Sequence, residues 1–451
     1  MSPRTAGTPS RRSLLTLALA MASLASPCQS CRGADEAGCP AKGPYDEVAI
    51  AWSARDVLGW GEHLVSGKSC RVSPVIDAGA GNEINHYRII VDYEGAGSIR
   101  VSVIHSTKPS LAETLTRKYF ISPLRTVKSG QEITVSSTIR RERYAWVAVN
   151  TEGDARITDV RFVCWRGKGT VFGHAASHFS FDGSRLPYRL MYPRNYDPAK
   201  SYPLVVSVSG SGGVGTDNVR NMENVILGRY LFTRYYLDDE LACFSLVPQI
   251  PTAEIVPKDY FPHGPKGKPT PIYHPDWSAV NENSWYTQAS LALVASLIAD
   301  ERLSIDPDRV YMTGFSYGGK AVWEFLKAGR DVFAAGACGA GWPIGYAHSR
   351  PTGPILDRLK LEVQRYRHIP VHIFAAELDQ MRYGSSAVDK EIRAQGGKST
   401  YVEFPKIRHV QTASRAWGNR KYVKWLFEQN RKNNPPAGKD PFPRGVYPGD
   451  K

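Results

Sequence analysis

The apolar pattern of this 451-residue chain changes period once, near Gly173, and that change constrains the fold more than any other feature. From about Tyr45 to Trp165 apolar and polar residues alternate. Segments 87–93, 98–106, 131–139, 144–151 and 155–165 each read as a strand with one face buried and one in water. Turns rich in Gly, Ser or Pro separate them, and no convincing amphipathic helix intervenes, which predicts a β-sandwich over residues 45–166. Beyond Gly173 the apolar runs at 204–208, 243–247, 310–313 and 371–375 are continuous, as in strands covered by helices on both faces. Helical patterns at 285–301, 320–328 and after Gly384 lie between them, and a last amphipathic segment covers 412–429. Strands alternating with helices imply right-handed crossovers and a mostly parallel sheet. The predicted fold is therefore α/β over 175–430, preceded by the all-β sandwich, with a Pro-, Gly- and Lys-rich tail at 431–451 expected to be disordered.

Composition removes several classes. With 42% hydrophobic and 22% charged residues the chain is globular in composition, and no run of about 18 apolar residues predicts a membrane span. The formal charge of +14 suits an anionic envelope or acidic polymer, and it equally serves solubility. No zinc-finger spacing or basic–aromatic interleaving occurs, so no nucleic-acid partner is expected. Residues 1–25 carry Arg4, Arg11 and Arg12, then an apolar stretch at 14–24, then small residues. That order predicts an export signal cut after Ala25, and Ser10-Arg11-Arg12-Ser13-Leu14-Leu15 resembles the twin-arginine motif, so the expected location is periplasmic or secreted. A lipid anchor at Cys28 is the rival, disfavoured by Pro27. Residues 26–44 read as a linker. All seven cysteines follow the signal, so some pairing is expected, with Cys70–Cys164 one candidate bridge; Cys28, Cys31 and Cys39 make only a weak metal clip. Trp52, Trp60 and Trp146 are either sandwich core or a sugar-stacking platform.

The chemistry concentrates at Gly314-Phe315-Ser316-Tyr317-Gly318, between a buried strand at 309–313 and a helix from Lys320. A serine on such a sharp turn projects its hydroxyl above the sheet edge, and flanking glycines spare the collision a Cβ would cause. Its hydroxyl needs a base, and the base an orienting acid, in the order serine, acid, histidine. His409, after the strand at 400–404, sits at the sheet's C-terminal edge and is the expected base; His348 is the alternative, while His368 and His372 flank or lie inside the strand at 371–375. Past the strand at 371–375, Asp379 is the expected acid and Glu377 the runner-up. The oxyanion of acyl transfer needs backbone donors: the Tyr317 amide, and Ser211 or Gly212 in the small-residue loop 209–213. Gly210-x-Gly212-x-x-Gly215 also fits a dinucleotide fingerprint, yet the next strand ends Pro248-Gln249 without the required acid. No cofactor and no metal are therefore expected.

These stretches, together with 306–319 and Gly396-Gly397 through Tyr401-Val402-Glu403-Phe404-Pro405 to His409, make residues 178–430 resemble the α/β-hydrolase family. The resemblance is to secreted carboxylesterases and to polyhydroxyalkanoate-depolymerase-like or feruloyl-esterase-like enzymes. It implies Ser316 as nucleophile, Asp379 as orienting acid and His409 as base. The chain departs from that pattern at Ser209-Gly210 and at Ala375-Ala376, where relatives usually carry His-Gly. The expectation is an exported serine hydrolase of carboxylic esters, soluble or linked to polymer or sugar. A serine peptidase and a non-catalytic polysaccharide-binding scaffold are the alternatives. Trp285, Trp342 and Trp417 either edge the cleft or pack.

Overall fold

The computed structural model describes residues 45–80, 82–116, 121–122, 124–136, 142–168, 170–223, 225–236, 238–251, 280–344, 350–436, 438–442 and 447. The expected export signal and linker, with Cys28, Cys31 and Cys39, and also His348, lie outside the described residues.

Strands β1 (Tyr45–Ser53), β2 (Gly61–Val65), β3 (Lys68–Val72), β4 (Ile76–Asp77), β5 (Asn82–Glu94), β6 (Ser98–Ser106), β7 (Arg125–Val127), β8 (Glu132–Ser136), β9 (Tyr144–Glu152) and β10 (Arg156–Lys168) form two antiparallel sheets. One runs β1-β10-β5-β8; the other runs β2-β3-β9-β6-β7, with β4 beside β9. Alternation places Tyr87, Ile89, Val91 and Phe162 of the first sheet against Val101, Val103, Val147 and Val149 of the second, and this layer is the sandwich core. The far face of the second sheet buries Cys70, Ile104 and Trp146, with Leu111 and Leu115 of a one-turn helix packed on them.

The larger sheet contains β11 (Thr170–Val171), β12 (His174–Phe181), β13 (Ser184–Met191), β14 (Tyr202–Val208), β15 (Phe244–Pro248), β16 (Ile305–Phe315), β17 (Ala335–Gly339), β18 (Val371–Ala376) and β19 (Ser399–Phe404). Its order is β11-β12-β13-β15-β14-β16-β17-β18-β19. From β15 to β19 the strands are parallel, and β11–β13 extend the sheet antiparallel. Helices α1 (Ile226–Thr233), α2 (Trp285–Ala299), α3 (Tyr317–Ala328), α4 (Pro354–Tyr366), α5 (Arg382–Ala394), α6 (His409–Trp417) and α7 (Arg420–Phe427) cover both faces. On β14, Leu204 and Val206 pack with α2 and α3, whereas Val205 packs with α1, which is why this run is apolar without alternation. Val163 of β10 joins the α1 cluster and ties the sandwich to the larger sheet.

Several expectations change. Cys70 stays a thiol beneath the one-turn helix while Cys164 lies in the sandwich interior, so the Cys70–Cys164 bridge does not form. The segment 412–429 is two helices, because Asn419 caps α7 with its side chain and Gly418 ends α6. Trp60, Trp146, Trp285, Trp342 and Trp417 are all buried, and Trp52 packs edge-on to Trp60 at 5.1 Å; these rings are packing. The tail is not free throughout. Asp440 pairs with Arg365 at 3.1 Å, and the hydroxyl of Tyr447, also buried, accepts from the same guanidinium at 3.0 Å. A buried cation demands fixed partners, and the tail supplies two of them.

Two stability predictions follow from these packings. Asp440→Ala removes a carboxylate from a pair whose side chains are 2% and 1% exposed, and should cost about 3 kcal/mol, within the range for breaking a buried ion pair; the urea midpoint reads it. Burial lowers the pKa of His105 to about 4 and of His174 to about 3 from the usual 6.5. Below pH 6.5 the unfolded chain takes up protons that the folded chain refuses, so stability is complete above 6.5 and falls as pH drops toward 4. Urea midpoints measured across that window should decline; a flat profile would contradict the burial of both rings.

Candidate active site

Strand β16 ends at Phe315, and the chain reverses at Ser316 with φ 58° and ψ −115° before entering α3. Serine rarely adopts a positive φ, and here the neighbours enforce it. The Ser316 amide donates to Gly339 O at 2.8 Å, and its carbonyl accepts the Lys320 amide at 3.0 Å. A Cβ on Gly314 would overlap the Gly318 carbonyl, and one on Gly318 would overlap the Val208 carbonyl. Gly319 meets Gly339 and Gly341 in the same way. Glycine at these positions is a packing requirement that lets α3 descend onto β14 and β17.

His409 opens α6 after the loop from β19. Its Nε2 lies 2.9 Å from Ser316 Oγ, and its Nδ1 lies 2.6 Å from Asp379 Oδ2. The imidazole packs on the Phe315 ring at 4.8 Å between centroids. Asp379 is held in turn by the Met381 amide, which donates to Oδ1 at 3.1 Å. The carboxylate is 8% exposed and the imidazole 33%, so the carboxylate is sheltered while the ring reaches solvent. The structure thus brings together Ser316, Asp379 and His409, residues 30 and 93 positions apart from one another along the chain.

Glu377 does something else. Its carboxylate accepts the Lys406 amide at 2.7 Å, and Lys406 has φ 56°. The Leu378 amide donates to Ile407 O at 3.1 Å. Residues 377–378 thereby hold the loop that delivers His409. His368 bonds to Arg330 O and His372 stacks on Trp425 at 3.4 Å, so neither ring belongs to the site.

The loop after β14 runs against the Ser316 turn: a Cβ on Gly210 would stand 3.5 Å from Phe315 O and 3.8 Å from Ser316 Cβ. Ser211–Gly213 is a single 3-10 turn closed by Gly213 N to Gly210 O at 2.9 Å. Ser211 and Gly212 are exposed, and their amides occupy the first positions of that turn, which a helix leaves without internal acceptors. Tyr317 supplies the first amide of α3. Ser209 is fully buried, and its Oγ occupies the space a Cβ on Gly213 would take. Sequence reasoning missed Gln249, whose buried amide lies beneath this loop. It was legible only as the residue standing where a nucleotide-binding strand would carry an acid. A hydroxyl on an imidazole, the imidazole on a carboxylate and amides beside the hydroxyl can together attack a carbonyl and stabilise the oxyanion formed. Among the described residues no group of three or more His, Cys, Asp or Glu is placed to hold a metal, and no helix is long and apolar enough to cross a membrane.

No protein-family model and no curated protein sequence matches the chain. Among solved structures it is similar to a thermostable esterase, at 20% identity and TM-score 0.45, over 78% of this chain and 100% of that one. It is similar to an acylaminoacyl peptidase from Pyrococcus horikoshii, at 16% identity and TM-score 0.41, over 56% of this chain and 41% of that one. A ferulic acid esterase from Anaeromyces mucronatus, solved with ferulic acid, gives 13% identity and TM-score 0.39, over 56% of this chain and 90% of that one. Likenesses this distant say nothing of substrate. Read from its own strand order and from the strand–serine–helix turn at its centre, residues 170–427 have the α/β-hydrolase fold.

Proposed function

We propose that this protein is an exported serine hydrolase that cleaves carboxylic esters through an acyl-serine intermediate. One observation carries the reading: the continuous contact from Asp379 through His409 to Ser316, at 2.6 and 2.9 Å. His409 Nε2 takes the proton from Ser316 Oγ as the oxygen attacks the ester carbonyl. Asp379 accepts the Nδ1 proton's hydrogen bond, which fixes the tautomer that leaves Nε2 able to accept, and it stabilises the imidazolium that forms. The amides of Tyr317 and of Ser211 or Gly212 receive the oxyanion. When the intermediate collapses, the alcohol leaves with the proton held by His409, and Ser316 carries the acyl group. Water then repeats the sequence from the other side: His409 accepts its proton, the oxyanion forms again, and Ser316 Oγ departs reprotonated. Solvent exposure of the base and partial exposure of Ser316 support entry of both substrate and water. The basic, apolar and small-residue leader supports export.

Turnover of p-nitrophenyl acetate by Ser316→Ala should fall by about 10⁴-fold or more, and labelling by a fluorophosphonate should vanish with it. An undiminished rate in a clean preparation would refute the reading, and an amide substrate with the same acyl group turned over as fast as the ester would move it toward a peptidase. The two nearby carboxylates should behave differently. Asp379→Asn, which presents the wrong tautomer partner, should lower kcat by about 10⁴-fold, whereas Glu377→Gln keeps an acceptor for the Lys406 amide and should lose less than about tenfold. Equal losses would mean that the orienting role is shared.

A further inference from the structure

We infer that Gln249 is a positioning residue for the oxyanion-binding loop, so that the carbonyl-oxygen site is set by the end of β15. The inference rests on the hydrolase reading of Ser316 and adds to it a residue outside the motif, the base and the acid.

Gln249 follows β15 directly and is 0% exposed. Its backbone is fixed by its own amide, which donates to Pro187 O at 2.9 Å on the neighbouring β13. The side-chain amide then uses both of its ends on the loop. Nε2 donates to Gly213 O at 3.2 Å and to Asp217 Oδ1 at 2.9 Å, while Oε1 accepts the Asn218 amide at 2.6 Å. The Gly215 amide donates to Ile250 O at 2.9 Å, so the loop is also laced to the next residue of the same segment. A Cβ on Gly215 would come within 2.9 Å of Gln249 Nε2; the loop wraps the amide closely.

The arrangement has a direction. Gly213 closes the 3-10 turn whose first two amides are those of Ser211 and Gly212, and the turn follows Gly210, where a Cβ would stand 3.8 Å from Ser316 Cβ. Fixing the Gly213 carbonyl fixes the plane of that turn, and with it where those amides aim. Only a primary amide suits the place, because it must donate to a carbonyl and a carboxylate on one side and accept from an N–H on the other. Asn218 is committed as well: its Nδ2 donates to Ser177 O at 2.9 Å and Tyr188 O at 2.8 Å, and its carbonyl accepts from the buried Arg189 guanidinium. The loop thereby rests on β12, β13 and β15 and is ordered before substrate arrives. Preorganised donors stabilise a developing oxyanion because no reorganisation is needed at the moment of reaction.

A positioning residue of this kind acts on the transition state and spares ground-state binding. Gln249→Ala should lower kcat for p-nitrophenyl acetate roughly 10- to 100-fold with KM changed less than about twofold. The decisive measurement is the ratio of kcat/KM for an oxygen ester to that for its thionoester. A hole shaped for oxygen discriminates against sulfur, so the ratio should fall about tenfold in Gln249→Ala. It should be unchanged in Leu293→Ala, a core substitution in α2 that lowers stability without touching the loop. If Gln249→Ala does not fold, Asp217→Ala at the exposed end of the same network should shift the ratio in the same direction by a smaller factor. An unchanged ratio in the folded Gln249 variant, or in the Asp217 variant where that one must stand in, overturns the inference while Ser316→Ala remains inactive. Persisting turnover in Ser316→Ala overturns instead the reading on which the inference is built.

Discussion

The close approach of α3 to β14, with Gly318 against the Val208 carbonyl, is the constraint on which the site depends. A non-glycine residue in the left-handed region costs on the order of 1–3 kcal/mol and persists only where its surroundings over-determine it. Ser316 is over-determined from three sides: its amide reaches β17, its carbonyl receives the first turn of α3, and glycines remove every Cβ that would push the helix away. Because β14 and β16 are neighbours in the sheet, the same approach brings the loop after β14 beside the serine. The strained turn at Ser316 and the approach of the loop after β14 are therefore consequences of one packing event. Widening the gap between α3 and β14 would release the strained turn and separate the two at once.

The back of the same helix is fixed by charge. Lys327 of α3 lies 2.9 Å from Glu324 and 3.0 Å from Glu362 of α4, all nearly inaccessible to solvent. Burial opposes the ammonium charge, yet Glu324 and Glu362 outweigh it and raise the Lys327 pKa. Lys320 donates to Val280 O, and the Glu282 amide donates to Glu324 at 3.1 Å, so the approach to α2 is held by α3. Arg365 then joins Glu282 to Asp440 and Tyr447. Buried ion pairs contribute little net stability compared with apolar substitutes, but each has one geometry in which its charges are satisfied. Here that geometry sets the register of α3 against α2, α4 and the C-terminal segment.

What could be read from the sequence was whatever has a short-range cause. Continuous apolar runs gave β14, β15, β16 and β18 because both faces of those strands are covered, and the elbow was visible because close backbone contact admits only glycine. The order of serine, acid and histidine was legible because each follows a strand at the same sheet edge. Strand β17, Ala-Gly-Ala-Cys-Gly, carried no strand signal: its residues are small because Trp417 and α3 press on it, a cause found only in three dimensions. The tail looked disordered by composition, since the attraction that holds it comes from Arg365, 75 residues away from Asp440. Ser211 and Gly212 could not be ranked for a related reason. The groups in question are backbone amides, identical at every residue, and their direction depends on how the turn is anchored in three dimensions.

The two carboxylates after β18 illustrate how a short sequence divides two tasks. Both Glu377 and Asp379 stand past the strand end, within reach of the loop that returns from β19. Glu377 comes first, where the chain still lies against that loop, and the Glu377 amide itself donates to Phe404 O at 3.0 Å. Its side chain therefore meets the Lys406 amide, at a residue in the left-handed conformation. Two residues later the chain has turned, with the Asp379 amide donating to Ala376 O at 3.1 Å and the Arg382 amide to Asp379 O at 3.2 Å. That turn shortens the reach required and points the smaller carboxylate at the imidazole. The longer acid holds the loop that leads to His409, and the shorter one holds the His409 ring.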